Sequence, residues 1–186
     1  MDIKYKIKFY SNWHCGSGLS AGADVDLLVI KDKYHLPFVP GKTIKGLVRE
    51  AMQDIKKFEN NNVDIDTLLG KENEKGESMQ QGTLFFTNAT LNENTANAII
   101  KSNSADYLYA AIASTAIDED GVAKDHSLRR MEVTVPCELE GTIYGVPEEN
   151  EKDMEKVLKY IKRLGQNRNR GLGRCDITIN KEGGEK

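Results

Sequence analysis

The chain has 186 residues, enough for one domain with a hydrophobic core and too few for two independent enzymatic domains. Hydrophobic residues make up 39% and charged residues 30%, and no apolar run is long enough to cross a bilayer. The first residues also lack the apolar stretch of a secretory signal. We therefore expect a single cytoplasmic domain over residues 1–186, without a membrane partner.

The net charge of −3 is distributed unevenly along the chain. It amounts to +3 over residues 1–50, −7 over 51–125 and +1 over 126–186. Residues 159–174 hold six basic side chains and no acidic one. A local basic segment of this kind is typical of proteins that contact nucleic acid, even where the whole chain is slightly acidic.

The N-terminal part of the chain combines strand, loop and helix patterns. Apolar and polar residues alternate over residues 3–9, which predicts a half-buried strand. Residues 11–26 are rich in glycine and small residues and predict a loop, and residues 27–30 predict a short buried strand. Apolar residues then follow helical spacing as far as Ile55, with Thr43 as the predicted N-cap.

The middle of the chain has weaker patterns. Residues 56–82 are polar and predict a flexible insertion, although the apolar positions within residues 63–69 could form one docked turn. Residues 83–91 resemble a strand. Residues 105–117 are apolar and fit either a helix or a strand, so both alternatives stay open.

The C-terminal part has clearer elements. Residues 131–135 and 139–144 predict two strands, and a helix follows Pro147 with acidic residues at its start and basic residues at its end. A closing strand over residues 175–179 precedes a polar tail, 180–186. Strands at both ends with two helices between them predict an α+β sandwich of the ferredoxin-like kind, in which central strands carry ligands on an open face.

Three glycine-containing segments are candidates for binding phosphate. The sequence Gly41-Lys-Thr opens a helix as in a phosphate-binding loop, but Leu36 stands where that motif requires glycine, which argues against nucleotide hydrolysis. Amides at the start of a helix still suit a phosphate, as do basic side chains on its first turns. The candidates here are Gly41, Lys42, Thr43, Lys45 and Arg49. The simpler interpretation is a solvated helix face.

The other two segments lie near the ends of the chain. A flexible basic loop contains Arg168, Arg170, Gly171, Gly173 and Arg174, where small residues permit close approach to a phosphate backbone. Arginines that follow a helix also commonly interact with the negative end of its dipole, without any role in binding. Near the N-terminus, Trp13 and His14 beside Gly16 and Gly18 could stack on or bond to a nucleotide, although a lone tryptophan is more often part of a core.

Catalytic candidates are few. Asp24, Asp26 and Asp32 lie near the first glycine-rich loop, and the histidines are His14, His35 and His126. A carboxylate can hold a divalent metal or accept a proton from a ribose hydroxyl, but most such aspartates are turn residues. No histidine or cysteine has metal-ligand spacing, and the three cysteines form no disulfide framework.

Several of these segments together resemble a known family. The sequence His-Cys-Gly-Ser-Gly at residues 14–18, the acidic and apolar run at 26–32 and the segment 38–49 are similar to the N-terminal signature of the RAMP superfamily of CRISPR-associated proteins. Gly-Leu-Gly-Arg at residues 171–174 resembles the C-terminal glycine-rich loop of that superfamily.

This resemblance implies a modified ferredoxin-like (RRM-like) fold and a role in antiviral defence. A protein of this kind binds CRISPR RNA and target RNA in a type III effector complex, beside other subunits and copies of itself. Asp26 occupies the position of the aspartate that cleaves target RNA with magnesium or manganese, and residues 116–130 would correspond by position, and not by sequence, to a thumb-like hairpin. Asn88 stands where the family often has aspartate.

Two further functions within the superfamily are compatible with this resemblance. One is a non-catalytic structural or capping subunit. The other is a metal-independent endoribonuclease that processes guide RNA, for which His14 and His35 are the candidates. A third alternative, from another class, is a protein-interaction subunit that docks through its acidic middle and makes no RNA contact.

Overall fold

The computed structural model describes residues 1–20, 25–59, 63–71 and 81–180. Eight strands are numbered in chain order: β1 Ile3–Phe9, β2 Phe38–Val39, β3 Phe85–Phe86, β4 Ala89–Thr90, β5 Tyr109–Ser114, β6 Arg129–Thr134, β7 Glu138–Tyr144 and β8 Cys175–Ile179. The helices are α1 Gly41–Glu59, α2 Ile65–Leu69, α3 Glu93–Ser102 and α4 Glu151–Tyr160, with short 3-10 turns at Ala105–Leu108 and Glu148–Asn150.

The main sheet is antiparallel, and its order defines the fold. The strands lie in the order β2-β4-β7-β1-β8, and β3 also pairs with β7. Since β3 and β4 both lie beside β7, they form one interrupted strand, and α1 and α4 are the crossovers of two β-α-β units. Helices α1 and α4 pack against each other. This arrangement is the α+β ferredoxin-like sandwich that the sequence predicts.

The core lies between the sheet and the helices. Alternate residues of β1 point inward, and each of the four is at most 3% exposed. Burial of Ile3, Ile7 and Phe9 contributes roughly 1.5–3 kcal/mol each. The Tyr5 side chain packs over Gly141, its partner on β7. A Cβ atom on Gly141 would lie 2.4 Å from the Tyr5 hydroxyl oxygen. A glycine in the middle of β7 is therefore required for this packing.

The open face of the sheet has alternating charges. The ammonium nitrogen of Lys6 lies 3.3 Å from Glu138 and 3.5 Å from Glu140, and that of Lys8 lies 3.4 Å from Glu138. The hydrogen bond from Lys6 holds the pKa of the Glu138 carboxyl below its usual value. Sheets that bind RNA on this face use aromatic residues for base stacking. The open face carries mutually paired charges on β1 and β7, so we look for the ligand-binding site on another surface.

The predicted strand at residues 27–30 is wrong. These residues form isolated bridges, because their backbone alternates between two partners. The Leu28 and Ile30 amides donate to the first glycine-rich loop, whereas the Leu27 carbonyl accepts from the Glu132 amide of β6. No continuous ladder forms. The predicted strand at residues 83–91 is interrupted between β3 and β4, and the closing strand has the predicted bounds.

The predicted insertion, 56–82, overlaps several described residues. Helix α1 continues through its first four positions to Glu59, and α2 buries Ile65, Leu68 and Leu69 as one docked turn. Residues 60–62 and 72–80 lie outside the described part of the chain, as do 181–186 of the predicted tail. Among described residues, no helix has the length and apolar character to cross a bilayer.

A separate hairpin extends the domain. Strands β5 and β6 pair from Tyr109 opposite Thr134 to Ser114 opposite Arg129 and enclose residues 115–128. The segment 105–117, open between helix and strand, is therefore a 3-10 turn followed by β5. The predicted thumb-like segment, 116–130, lies mostly in the connection between these strands, and its role stays a prediction.

Candidate nucleic-acid interface

Three segments that are distant in sequence line one groove. They are residues 14–16 of the first glycine-rich loop, residues 43–50 of α1, and residues 165–168 after α4. The groove is open to solvent and encloses roughly 370 Å³. The fold thus brings together parts of all three glycine-containing segments that the sequence singles out.

The absence of a side chain at Gly165 allows the loop after α4 to pack closely against the first glycine-rich loop. Gly165 has a φ of +95°, and a Cβ atom there would lie 2.4 Å from the His14 carbonyl oxygen. The Gln166 amide donates to that same oxygen at 2.9 Å, and the Gly173 amide donates to Asn12 at 2.8 Å. Gly165 was not among the predicted site residues, because its role depends on contact with a loop about 150 positions earlier in the chain.

His14 is fully buried at the edge of the groove. Its Nδ1 lies 2.6 Å from the backbone carbonyl oxygen of Glu132 in β6, while Nε2 has no hydrogen-bond partner. The neighbouring Trp13 is 1% exposed and stacks on Phe9 with ring centroids 4.4 Å apart. Trp13 is therefore a core residue and not a platform for bases, whereas His14 lines the groove.

The structure gives Gly41 a packing role. Gly41 is buried, and a Cβ atom there would lie 2.1 Å from the Phe86 carbonyl oxygen. Its amide donates to the Asn88 side chain at 2.9 Å, so that Asn88, and not Thr43, caps α1. The Gly41 amide is thus already satisfied within the protein. Lys42 is exposed on the same turn and Lys45 is half-buried.

Arg49 is engaged within the protein. Its guanidinium donates to the carbonyl oxygens of Leu69 at 2.8 Å and Gly70 at 2.7 Å and lies 3.8 Å from Asp66. These carbonyls are at the C-terminal end of α2, where a cation is favourable. The contacts favour a structural role for Arg49, which attaches α2 to α1, over the RNA contact that its sequence position suggests.

Half of the basic segment is paired with acids. Arg168 makes a two-pronged contact with Glu50 at 2.9 and 3.2 Å, which raises the pKa of the Arg168 guanidinium. Lys162 lies 2.7 Å from Asp176, and Lys159 lies 2.8 Å from Glu155. Glu50 was missed by sequence reasoning, because an exposed glutamate on a helix gives no signal of its partner.

The remaining candidates of the C-terminal loop differ in exposure. Arg170 and Gly171 are exposed, and Gly171 has a φ of +90° with no atom within 4 Å of a Cβ position. Gly173 is buried against the Leu164 carbonyl oxygen, and Arg174 lies 5.9 Å from the ring of Tyr10. Gly18, at the other end of the site, is exposed with a φ of +80°.

Asp26 does not line the groove and lies beside the first residues of β6. Its Oδ2 accepts a hydrogen bond from the Arg130 amide at 2.7 Å, and its own amide donates to the Arg130 carbonyl at 2.9 Å. Asp32 accepts from the amides of Tyr34 and Leu36, so it is a turn residue. Asp24 lies outside the described residues. Within the described ranges, no three histidine, cysteine or acidic residues are gathered as a metal site.

The strand order and the two β-α-β units define a ferredoxin-like sandwich in which glycine-containing loops meet at one groove. The sequence profile of the RAMP superfamily matches residues 6–176, and the chain belongs to that superfamily. The predicted family is thus confirmed. A comparison with curated proteins gives no match.

Solved structures show the same fold. A chain from the cryo-electron microscopy structure of type III-B Cmr-β bound to cognate target RNA has a TM-score of 0.74 and 13% identity, covering 96% of this chain and 97% of that one. A chain from the apo state of type III-B Cmr-β has a TM-score of 0.73 and 14% identity, covering 98% of both chains. The modified ferredoxin-like fold is therefore confirmed.

Proposed function

We propose that this protein is an RNA-binding subunit of a type III CRISPR effector complex and holds CRISPR RNA in the groove. The observation that carries the proposal is the convergence of residues 14–16, 43–50 and 165–168 on one surface. Membership of the RAMP superfamily and the likeness to chains of type III-B Cmr-β support it. The partners are target RNA, other effector subunits and copies of this chain along the guide.

The shape of the groove and the basic side chains near it suit a nucleic-acid backbone. Gly16, Gly46 and Gly165 keep its walls low, which lets a sugar-phosphate chain approach the protein backbone. Lys42 is exposed on the first turn of α1, next in sequence to the groove-lining Thr43, and Arg168 lines the groove itself. Basic side chains at such positions bind phosphates without regard to sequence, as a subunit that holds many different guides requires.

The proposal extends to cleavage of target RNA at Asp26 with magnesium or manganese. Two hydrogen bonds to Arg130 hold this exposed residue in one place. Magnesium is commonly held by one or two carboxylates together with substrate phosphates, so one protein carboxylate is compatible with it. When bound, such an ion would stabilise charge that develops on the phosphate. The contribution of the chain itself is to fix the carboxylate beside Arg130 of β6.

Binding of single-stranded RNA across a salt series tests the RNA-binding function. We expect affinity to fall with salt, and Lys42→Ala or Arg170→Ala to reduce the slope of log K against log salt by about 0.7 each, the value for one single-strand phosphate contact. Lys8→Ala on the open face of the sheet is the control, because that ammonium already faces Glu138.

The alternative functions give different results. A protein that binds no RNA at any salt concentration, and whose partners remain bound after nuclease treatment, would be the protein-interaction subunit. RNA binding with unchanged slopes in both variants would place the phosphate contacts at basic residues other than Lys42 and Arg170.

A further inference from the structure

The Nε2 atom of His14 is buried and has no hydrogen-bond partner among the described residues. A buried polar atom without a hydrogen bond costs free energy, so native proteins seldom retain one unless it meets a ligand or water. The Nε2 atom of His14 has no partner within the protein, and the residue is 0% exposed. His14 also lines the groove, so the atom lies next to the proposed path of RNA.

The hydrogen bond of the other ring nitrogen sets the chemistry of Nε2. A backbone carbonyl only accepts, so at 2.6 Å from the Glu132 oxygen Nδ1 must carry the proton. In the neutral imidazole, Nε2 is then an acceptor. An acceptor cannot bind the oxygen of a phosphodiester, which has no proton to donate. The ligand group must be a hydroxyl or an N–H.

Gly16 lies directly against Nε2, and its lack of a side chain keeps that side of the imidazole uncrowded. A Cβ atom at Gly16 would lie 3.1 Å from His14 Nε2 and 3.4 Å from the side-chain nitrogen of Gln166. Gln166 is exposed, and its flexible side chain can rotate away. A side chain at position 16 would therefore crowd Nε2 and hinder a ligand group from reaching it.

We propose that His14 Nε2 accepts a hydrogen bond from a ribose 2′-hydroxyl and thereby selects RNA over DNA. This inference rests on the proposed function, because it assigns a contact within the same groove. Every ribonucleotide offers this donor, whereas base N–H groups differ from one nucleotide to the next. A guide-binding subunit that accepts many sequences therefore gains discrimination against DNA without reading bases.

The test compares three single-stranded oligomers of the same length: oligouridine, its 2′-fluoro analogue and oligodeoxyuridine. All three keep the base, while the fluoro analogue lacks the hydroxyl donor. Wild-type protein should prefer oligouridine over both analogues by about fivefold, the value of one neutral hydrogen bond. Gly16→Ala, which keeps the bond from His14 to Glu132, should abolish that preference.

Two further variants complete the experiment. His14→Phe should also abolish the preference, and Gly16→Ala decides the matter if His14→Phe does not fold. Gly46→Ala adds a methyl group elsewhere in the groove, with no atom within 4 Å of the new Cβ, and should change all three affinities by one factor.

The contradicting outcomes are distinct. If wild-type protein binds no RNA, the proposed function fails and this inference fails with it. If it binds RNA and the preference survives in Gly16→Ala and in folded His14→Phe, only this inference is overturned. If Gly16→Ala or His14→Phe weakens the binding of oligouridine and of oligodeoxyuridine by the same factor, Nε2 binds a base N–H. That result would also overturn the proposed contact with the 2′-hydroxyl.

Discussion

The contact between Glu50 and Arg168 places a carboxylate where the groove is proposed to receive phosphate. Both side chains are partly exposed, 53% for Glu50 and 41% for Arg168, and two hydrogen bonds join them. A phosphate that approaches Arg168 meets the carboxylate of Glu50, which already holds two of the guanidinium donors. Replacing Glu50 with glutamine removes the competing charge and a source of repulsion toward the phosphate backbone.

The size of the effect follows from the exposure of this pair. An exposed ion pair contributes about 0.2–1 kcal/mol, so Glu50→Gln should tighten RNA binding by about 1.5- to fivefold. If Arg168 then contacts a phosphate that it does not reach in the wild type, the slope of log K against log salt should steepen by up to about 0.7.

Fluorescence anisotropy with labelled single-stranded RNA, repeated across a salt series, measures both quantities. Glu138→Gln is the matched control, because it makes the same chemical change in an ion-paired glutamate on the open face of the sheet. A folded Glu50→Gln protein with equal or weaker affinity would refute the reasoning, since Glu50 would then position Arg168 and not compete for it. Combining Glu50→Gln with Arg168→Ala should remove the gain.

Two other predictions concern stability and the glycine loops. Asn88→Ala should lower the free energy of unfolding by about 1 kcal/mol through loss of the α1 cap, whereas Asn88→Asp should keep it, since a carboxylate suits a helix N-terminus; urea denaturation measures both. Gly173→Val should prevent folding or lower the melting temperature strongly, because a Cβ atom there would lie 1.8 Å from the Leu164 carbonyl oxygen. Gly171→Val should fold, with a moderate cost from its positive φ, and bind RNA more weakly; equal RNA affinity would make that loop structural.

The elements that the sequence predicted well have local causes. The alternation in β1, the apolar spacing in α1 and the charge order of α4 are each contained within one segment. The strand predicted at residues 27–30 does not form, because a short apolar run does not determine the hydrogen-bond partners of its amides. There the partners alternate between the first glycine-rich loop and strand β6, and this depends on the tertiary fold.

The candidate site was predictable as a set of segments and much less so residue by residue. The glycine signature located all three segments, but the reason for each glycine lies in the distance to another part of the chain. Gly41 and Gly173 allow close contact with carbonyl oxygens of Phe86 and Leu164, while Gly171 faces open space. Arg49 is likewise engaged by α2, which no local pattern indicates.

The catalytic prediction for Asp26 can be separated from its structural role by the choice of substitution. Asparagine keeps an oxygen that can accept from the Arg130 amide and removes the charge, whereas alanine removes both. In an assembled effector complex supplied with magnesium or manganese, we expect both variants to lose cleavage of target RNA and to keep nearly full binding of guide and target. Asp32→Asn, which makes the same change at a turn residue, should keep cleavage. The loss in Asp26→Asn decides the question, because that variant preserves the contact to β6. If Asp26→Asn cleaves normally and only Asp26→Ala is impaired, the carboxylate charge takes no part in the reaction, and Asp26 serves to fasten the first loop to the hairpin.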